Sequence, residues 1–144
     1  MKAIAHRGNV NGKSWLENNP KYLIEAISKG FDVELDIRYI DKNWYLGHDA
    51  PTYKVNLKFL ESISKNSWMH CKNLDALKEL DPTVYNFFWH QEDDFTLTSK
   101  GFIWTYPQKP ITNKSVIVDV DLQSKNFFNA YGVCTDYVNL LDIL

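Results

Sequence analysis

Apolar and polar residues alternate along this chain in short bursts, each closed by a polar cluster. Lys2–His6 reads as a short buried strand ending at Arg7-Gly8, and a polar loop, Asn9–Ser14, follows. Asn18 and Asn19 are candidate caps, with Pro20 in the first helical turn. Leu23, Ala26 and Ile27 share one helical face, and Gly30 closes that helix. From Phe31 to Tyr39 the alternation is unbroken: Phe31, Val33, Leu35, Ile37 and Tyr39 face one way, and Asp32, Glu34, Asp36 and Arg38 the other. Asp41-Lys42-Asn43 marks a turn into a second strand, Trp44–Leu46, which ends at Gly47-His48-Asp49. Pro51 and Thr52 begin a loop, and Leu57, Leu60 and Ile63 predict a second helix.

The rest repeats this rhythm with shorter parts. Trp68–Cys71, Val84–Trp89, Phe102–Thr105, Ser115–Val120 and Tyr131–Cys134 read as strands, and Leu74–Leu80 as a short helix closed by Asp81-Pro82. Strands alternating with helices imply parallel pairing. Seven or eight such strands predict one domain over residues 1–144, a compact TIM-type (β/α) barrel with some helices shortened or missing.

Composition narrows the classes. With 44% hydrophobic and 24% charged residues and a formal charge of −2, the chain is neither disordered nor basic enough for general nucleic-acid binding. Eight Phe, eight Tyr and five Trp allow a substantial core. No segment reaches the ~20 apolar residues of a membrane span, and Met1–Ala5 is too short for a secretory apolar region. Cys71 and Cys134 have neither metal-type spacing nor disulfide density. These features together favour the cytoplasm; oligomeric state is left open.

Chemically able residues gather where strands end: His6-Arg7, Glu34 and Asp36, His48-Asp49, His70 and Lys72, His90-Gln91, Asp119 and Asp121, Thr135-Asp136. In parallel α/β folds, strand C-termini form the ligand-binding face. Each element also has a plain structural reading. Alternating acids suit a solvated edge strand, and His70 and His90 flank aromatic strands as core histidines would.

Taken in order, His6-Arg7-Gly8, Glu17-Asn18-Asn19, Gly30-Phe31-Asp32-Val33-Glu34-Leu35-Asp36 and Gly47-His48-Asp49 resemble the glycerophosphodiester phosphodiesterase family, with a weaker echo at Val133-Cys134-Thr135-Asp136. The resemblance implies a divalent cation and two histidines that hydrolyse a phosphodiester. By position it implies His6 and His48 as the acid–base pair, Glu34 and Asp36 as metal ligands, Arg7 as a phosphate contact, and Glu17 as a residue that orients His6 or helps hold the metal. The residue types suit that chemistry: a hard cation and a bidentate guanidinium neutralise a phosphodiester, and histidine titrates near neutrality.

Two departures stand out. His70 occupies the position of the family's third carboxylate ligand, while Lys72 is kept as a substrate contact. A His in the set moves preference from Ca²⁺ and Mg²⁺ toward Mn²⁺ or Zn²⁺; the alternative is a weakly held metal, with His70 contacting phosphate instead. The chain is also short, and it lacks the insertion after His48 that shapes the family's glycerol side. His90, Trp104 and Tyr106 lie at later strand ends, where aromatic rings beside polar groups point to a sugar- or polyol-bearing substrate. The alternatives are a non-catalytic binding module for phospho-sugars or phospholipid headgroups on the same scaffold, and a lyase forming a cyclic phosphate.

Overall fold

In a computed structural model, which describes residues 1–124, 127 and 129–143, ten strands form one mixed sheet. They are β1 (Lys2–His6), β2 (Asp32–Ile40), β3 (Asn43–Leu46), β4 (Tyr53–Val55), β5 (Ser67–Cys71), β6 (Asn86–Phe88), β7 (Phe95–Leu97), β8 (Ile103–Thr105), β9 (Ser115–Val118) and β10 (Gly132–Thr135). The α-helices are α1 (Pro20–Ser28), α2 (Leu57–Ser62) and α3 (Leu74–Glu79). Parallel ladders run in the order β6–β5–β2–β1–β10–β9–β8. Antiparallel ladders add β3 and β4 beside β2, and β7 beside β8.

The expected TIM-type barrel is not what forms. The sheet is a strongly curled half-barrel with three short helices, and among the described residues no ladder joins β6 to β7 or β8. The reason is length. A closed eight-fold βα barrel typically takes about 250 residues, and here the crossovers around β8, β9 and β10 carry no α-helix among the described residues. Two further stretches pair as strands. Tyr53–Val55 follows Pro51-Thr52 as β4, and Phe95–Leu97 lies as β7 within the polar stretch 90–99.

Alternation along the strands creates two apolar layers. Ala5, Val33, Leu35, Met69, Ile117 and Val133 face the helices and pack with Leu23, Ala26, Leu60 and Ala76. Ile4, Trp68, Phe88, Trp104, Val116 and Cys134 fill the other face. Trp68 on β5 and Trp104 on β8 have four strands between them in the ladder order, yet their rings are 5.8 Å apart. The sheet therefore curls around this aromatic cluster. Where the ladder stops, the Ser99 N–H donates to the Phe87 carbonyl at 2.9 Å, and the Phe87 N–H donates to Ser99 Oγ at 2.9 Å.

Local chemistry sets the elements that aim the site. Asn19 caps α1 by accepting from the Lys21 N–H, and Pro20 fits the first turn. Beyond β1 the chain turns sharply through Arg7 (φ 54°) and Gly8 (φ 88°). A left-handed arginine costs roughly 1–2 kcal/mol, and a Cβ on Gly8 would lie 2.9 Å from the Tyr22 ring. This strained turn presents Arg7 at the C-terminal rim of the sheet.

Candidate active site

Because seven strands run parallel, their C-terminal ends share one rim. Residues two steps beyond the inner aromatic layer line it: His6 after Ile4, His70 after Trp68, and Asp136 after Cys134. Glu34 and Asp36 share a face of β2, and register places Glu34 beside His6 and Asp36 beside His70. Among the described residues, two groups bring ligand-type atoms within 4.8 Å of one another: Glu34–Asp36–His70 and His6–Glu17–Asp136.

In the first group, His70 Nδ1 lies 3.3 Å from Asp36 Oδ1 and 3.9 Å from Glu34 Oε2. Its Nε2 lies 3.2 Å from the His90 carbonyl oxygen. A carbonyl only accepts, so Nε2 carries a hydrogen, and Nδ1 faces the two carboxylates. That arrangement needs positive charge between the atoms, a proton or a metal ion. Metal-ligating histidines are commonly fixed by such a carbonyl.

The carboxylates are buried and differ. Burial, then the charge of Asp36, raises the pKa of Glu34. Burial pushes Asp36 upward too, but His70, Asn18 and the charge of Arg7 outweigh it and bring the carboxyl down to about 2. Asn18 holds Asp36 twice, donating to Oδ2 and accepting from its backbone N–H, both at 2.9 Å.

Arg7 bridges the two groups. Its N–H donates to Glu34 Oε1 at 3.2 Å, its Nε stands 3.4 Å from Asp36 Oδ2, and its Nη1 stands 3.7 Å from Glu17 Oε1. Five buried side-chain polar atoms among the described residues lack a hydrogen-bond partner, and three of them are here: Arg7 Nε, Asp36 Oδ1 and Asp136 Oδ2. Buried polar atoms are rarely left unpaired, so their concentration marks a place built for a polar or charged ligand. The unpaired Asp36 Oδ1 and the oxygen–oxygen–nitrogen donor set fit a divalent cation.

The second group is an orienting network. His6 Nδ1 sits 2.7 Å from Asp136 Oδ1. Burial disfavours the charged ring, but the bond to Asp136 and the charge of Glu34 outweigh it, and the pKa of His6 is raised. Asp136 is driven upward by burial and further downward by His6 and Asn9, so its pKa is lowered. An ionised Asp136 accepts only, which leaves Nε2 as the free nitrogen of His6. Asn9 donates to Asp136 Oδ1 and to Glu17 Oε2, and accepts from the Tyr22 hydroxyl. Among the described residues no hydrogen bond joins Glu17 to His6 directly; the hydrogen-bonded link runs through Asn9 and Asp136.

His48 stands apart. Its Nδ1 pairs with the exposed Asp49 at 2.7 Å, and the ring is 39% exposed. The Gly47 N–H donates to the Asp36 carbonyl and Arg38 donates to the His48 carbonyl, so the hairpin base is tied to β2 while the ring stays on the rim. Gly47 admits no side chain, since a Cβ would meet the Ala50 carbonyl oxygen at 1.9 Å. Among the described residues no hydrogen bond or ion pair joins His48 to Glu34, Asp36 or His70.

The Lys72 N–H donates to the Ile37 carbonyl at the end of β5, which places that residue beside the acidic strand. Trp104 is 4% exposed and packs on Phe88 at 4.5 Å. It is a core wall, while Tyr106 is exposed. His90 pairs with Asp93 through Nδ1. Both cysteines are buried and their thiols are pushed up, Cys71 to about 12, so neither is a nucleophile at neutral pH.

Asp136, Asn9, Asn18 and Tyr22 were not singled out from the sequence as site residues. Asp136 carried a faint signal, standing at a strand end in the family-like closing segment; Asn9 and Tyr22 carried none. No helix among the described residues is long and apolar enough to cross a membrane. Comparison with protein-family models, with curated proteins and with solved structures gives no match.

Proposed function

We propose that this chain cleaves phosphodiesters, with a divalent cation held by Glu34, Asp36 and His70. The observation that carries the reading is the convergence of His70 Nδ1 with two buried carboxylates, Glu34 and Asp36, with the Arg7 guanidinium alongside. The ordered motifs that resemble glycerophosphodiester phosphodiesterases support the same chemistry.

When bound there, the cation supplies Lewis acidity toward a phosphoryl oxygen. Arg7 adds a second positive contact to the phosphate. His6 is held by Asp136 and favours its protonated form, so it gives a proton to the departing alkoxide. His48, on the rim, takes the proton of the attacking water. A water oxygen–phosphorus bond forms, the phosphorus–oxygen bond to the leaving alcohol breaks, and a phosphomonoester and an alcohol result. If a neighbouring substrate hydroxyl attacks instead, the product is a cyclic phosphate, and phosphorus NMR in ¹⁸O-labelled water separates the two. The pairing of His48 with Asp49, away from the acidic cluster, supports a second reading: a binding module for phosphorylated sugars or headgroups.

The test is turnover of bis(p-nitrophenyl) phosphate with Mg²⁺, Mn²⁺, Ca²⁺ or Zn²⁺. We expect activity with Mn²⁺ or Zn²⁺, and a loss of ~10²-fold or more in His6→Ala. No activity with any of the four cations would leave the binding module.

A further inference from the structure

We propose that the cleft beside His70 is a leaving-group subsite for a neutral, polyhydroxylated ring, a sugar or cyclitol. Its purpose rests on the phosphodiester reading above; its geometry does not.

The cleft opens between the ends of β6, β8 and β9, has a volume of about 510 Å³ and is lined by His90, Trp104, Tyr106, Asp121 and Gln123 among others. That lies within the roughly 300–1,000 Å³ of small-molecule sites, and a three-carbon polyol would leave most of it unfilled. His90 joins the cleft to the acidic cluster: its carbonyl fixes His70, its ring centroid lies 5.9 Å from that of His70, and the residue lines the cleft. On the phosphodiester reading, this space adjoins the bond broken beside His70 and can receive its alcohol side.

The walls choose the alcohol. Trp104 gives a fixed apolar wall, and the exposed Tyr106 ring offers a flat face to the C–H surface of a pyranose or cyclitol. Gln123 donates from Nε2 to the Asp121 carbonyl at 3.3 Å, which orients its amide and leaves the amide oxygen as an acceptor. His90 has Nδ1 committed to Asp93 and keeps Nε2 for a hydroxyl. Hydroxyls both donate and accept, so carboxylate, amide and imidazole together suit a ring carrying several of them.

No lysine or arginine lines the cleft among the described residues, and its ionisable lining includes Asp119 and Asp121, so an anionic group is disfavoured. Asp119 is buried and accepts from the Gln123 and Ser124 N–H groups at 2.9 and 2.6 Å, so its charge shapes the loop. With one exposed aromatic face, the cleft lacks the surrounding rings that hold a quaternary ammonium.

Saturation-transfer NMR on the full chain, with methyl α-D-glucopyranoside, myo-inositol, glycerol and choline as separate probes, tests this without any need for turnover. We expect transfer to one or both ring probes and none to glycerol or choline. Tyr106→Ala and Gln123→Ala, each checked by circular dichroism, should each weaken ring binding about tenfold, the worth of one good contact. Absence of ring binding, ring binding unchanged in both variants, or choline as the best ligand would overturn the proposal. Ring binding in a protein inactive with every cation would uphold the subsite while the hydrolytic reading falls. Turnover of the aryl diester with no ring binding would do the reverse.

Discussion

The two sides of the rim are built on different principles. On the β1–β2–β5–β10 side, ionisable groups hold one another: Asp136 fixes His6, Asn18 fixes Asp36, the His90 carbonyl fixes His70, and Arg7 spans the acids. On the β6–β8–β9 side the floor is apolar and packed, while Tyr106 stands in solvent over an open cleft. Preorganised charge suits bond breaking, because dipoles already in place need no reorganisation when charge develops. An open, partly aromatic wall suits discrimination, because its contacts can differ between alcohols. The same curled sheet provides both, since its two ends meet through Trp68, Trp104 and Phe88.

The comparison can be broken at that meeting point. Trp104→Ala removes a ring buried between the sides and should destabilise the fold by about 3–5 kcal/mol, read as the urea midpoint. A loss below 1 kcal/mol would show that the two sides do not depend on a shared wall. Asp36→Ala strips one side of a ligand and of the partner of Arg7. It should lower cation-dependent turnover by ~10³-fold, near 4 kcal/mol, and abolish the rise in melting temperature on adding Mn²⁺. A retained Mn²⁺ shift would move the cation elsewhere.

Asp136→Asn sharpens the contrast more finely. It keeps the shape but removes the charge that fixes the tautomer and the proton of His6, so turnover should fall ~10²-fold. The sign of its pH dependence follows from the two shifts. His6 has a raised folded pKa, so its contribution to stability is complete below its ordinary 6.5 and is lost as pH rises through the folded value. Asp136 has a lowered one, so its contribution is complete above 3.8 and is lost as pH falls through the folded value. The stability gap between wild type and Asp136→Asn should therefore peak between these two ordinary values and narrow on both sides. A gap flat from pH 3 to pH 9 would remove the ionised pair. At the small end, Tyr106→Phe should change stability by less than about 0.5 kcal/mol, as exposed positions do. A larger loss in thermal unfolding would mean that the cleft wall is structural.

Part of the candidate site was legible because strand alternation has a period of two, so Glu34 and Asp36 had to share a face, and because the histidines follow apolar runs in the sequence. The role of Trp104 was not legible. Its place beside Tyr106 at a strand end looked like binding chemistry, and only the curl of the sheet, which brings β5 against β8, buries it. His48 shows the opposite limit. Its motif lies in family-like order, yet the hairpin leaves the ring paired with Asp49 on the rim.

By itself the chain's order of residues determined where the short strands fall, the cap of α1 and the shared face of the acids, because these depend on neighbours a few positions apart. Tertiary structure alone decided the half-barrel in place of a closed one, since closure depends on crossovers too short to supply the missing helical layer. It alone joined His6 to Asp136 across 130 positions and Asp36 to Asn18 across 18. Such pairings follow from how far the sheet bends, and bending is set by aromatic rings from distant strands competing for one enclosed volume.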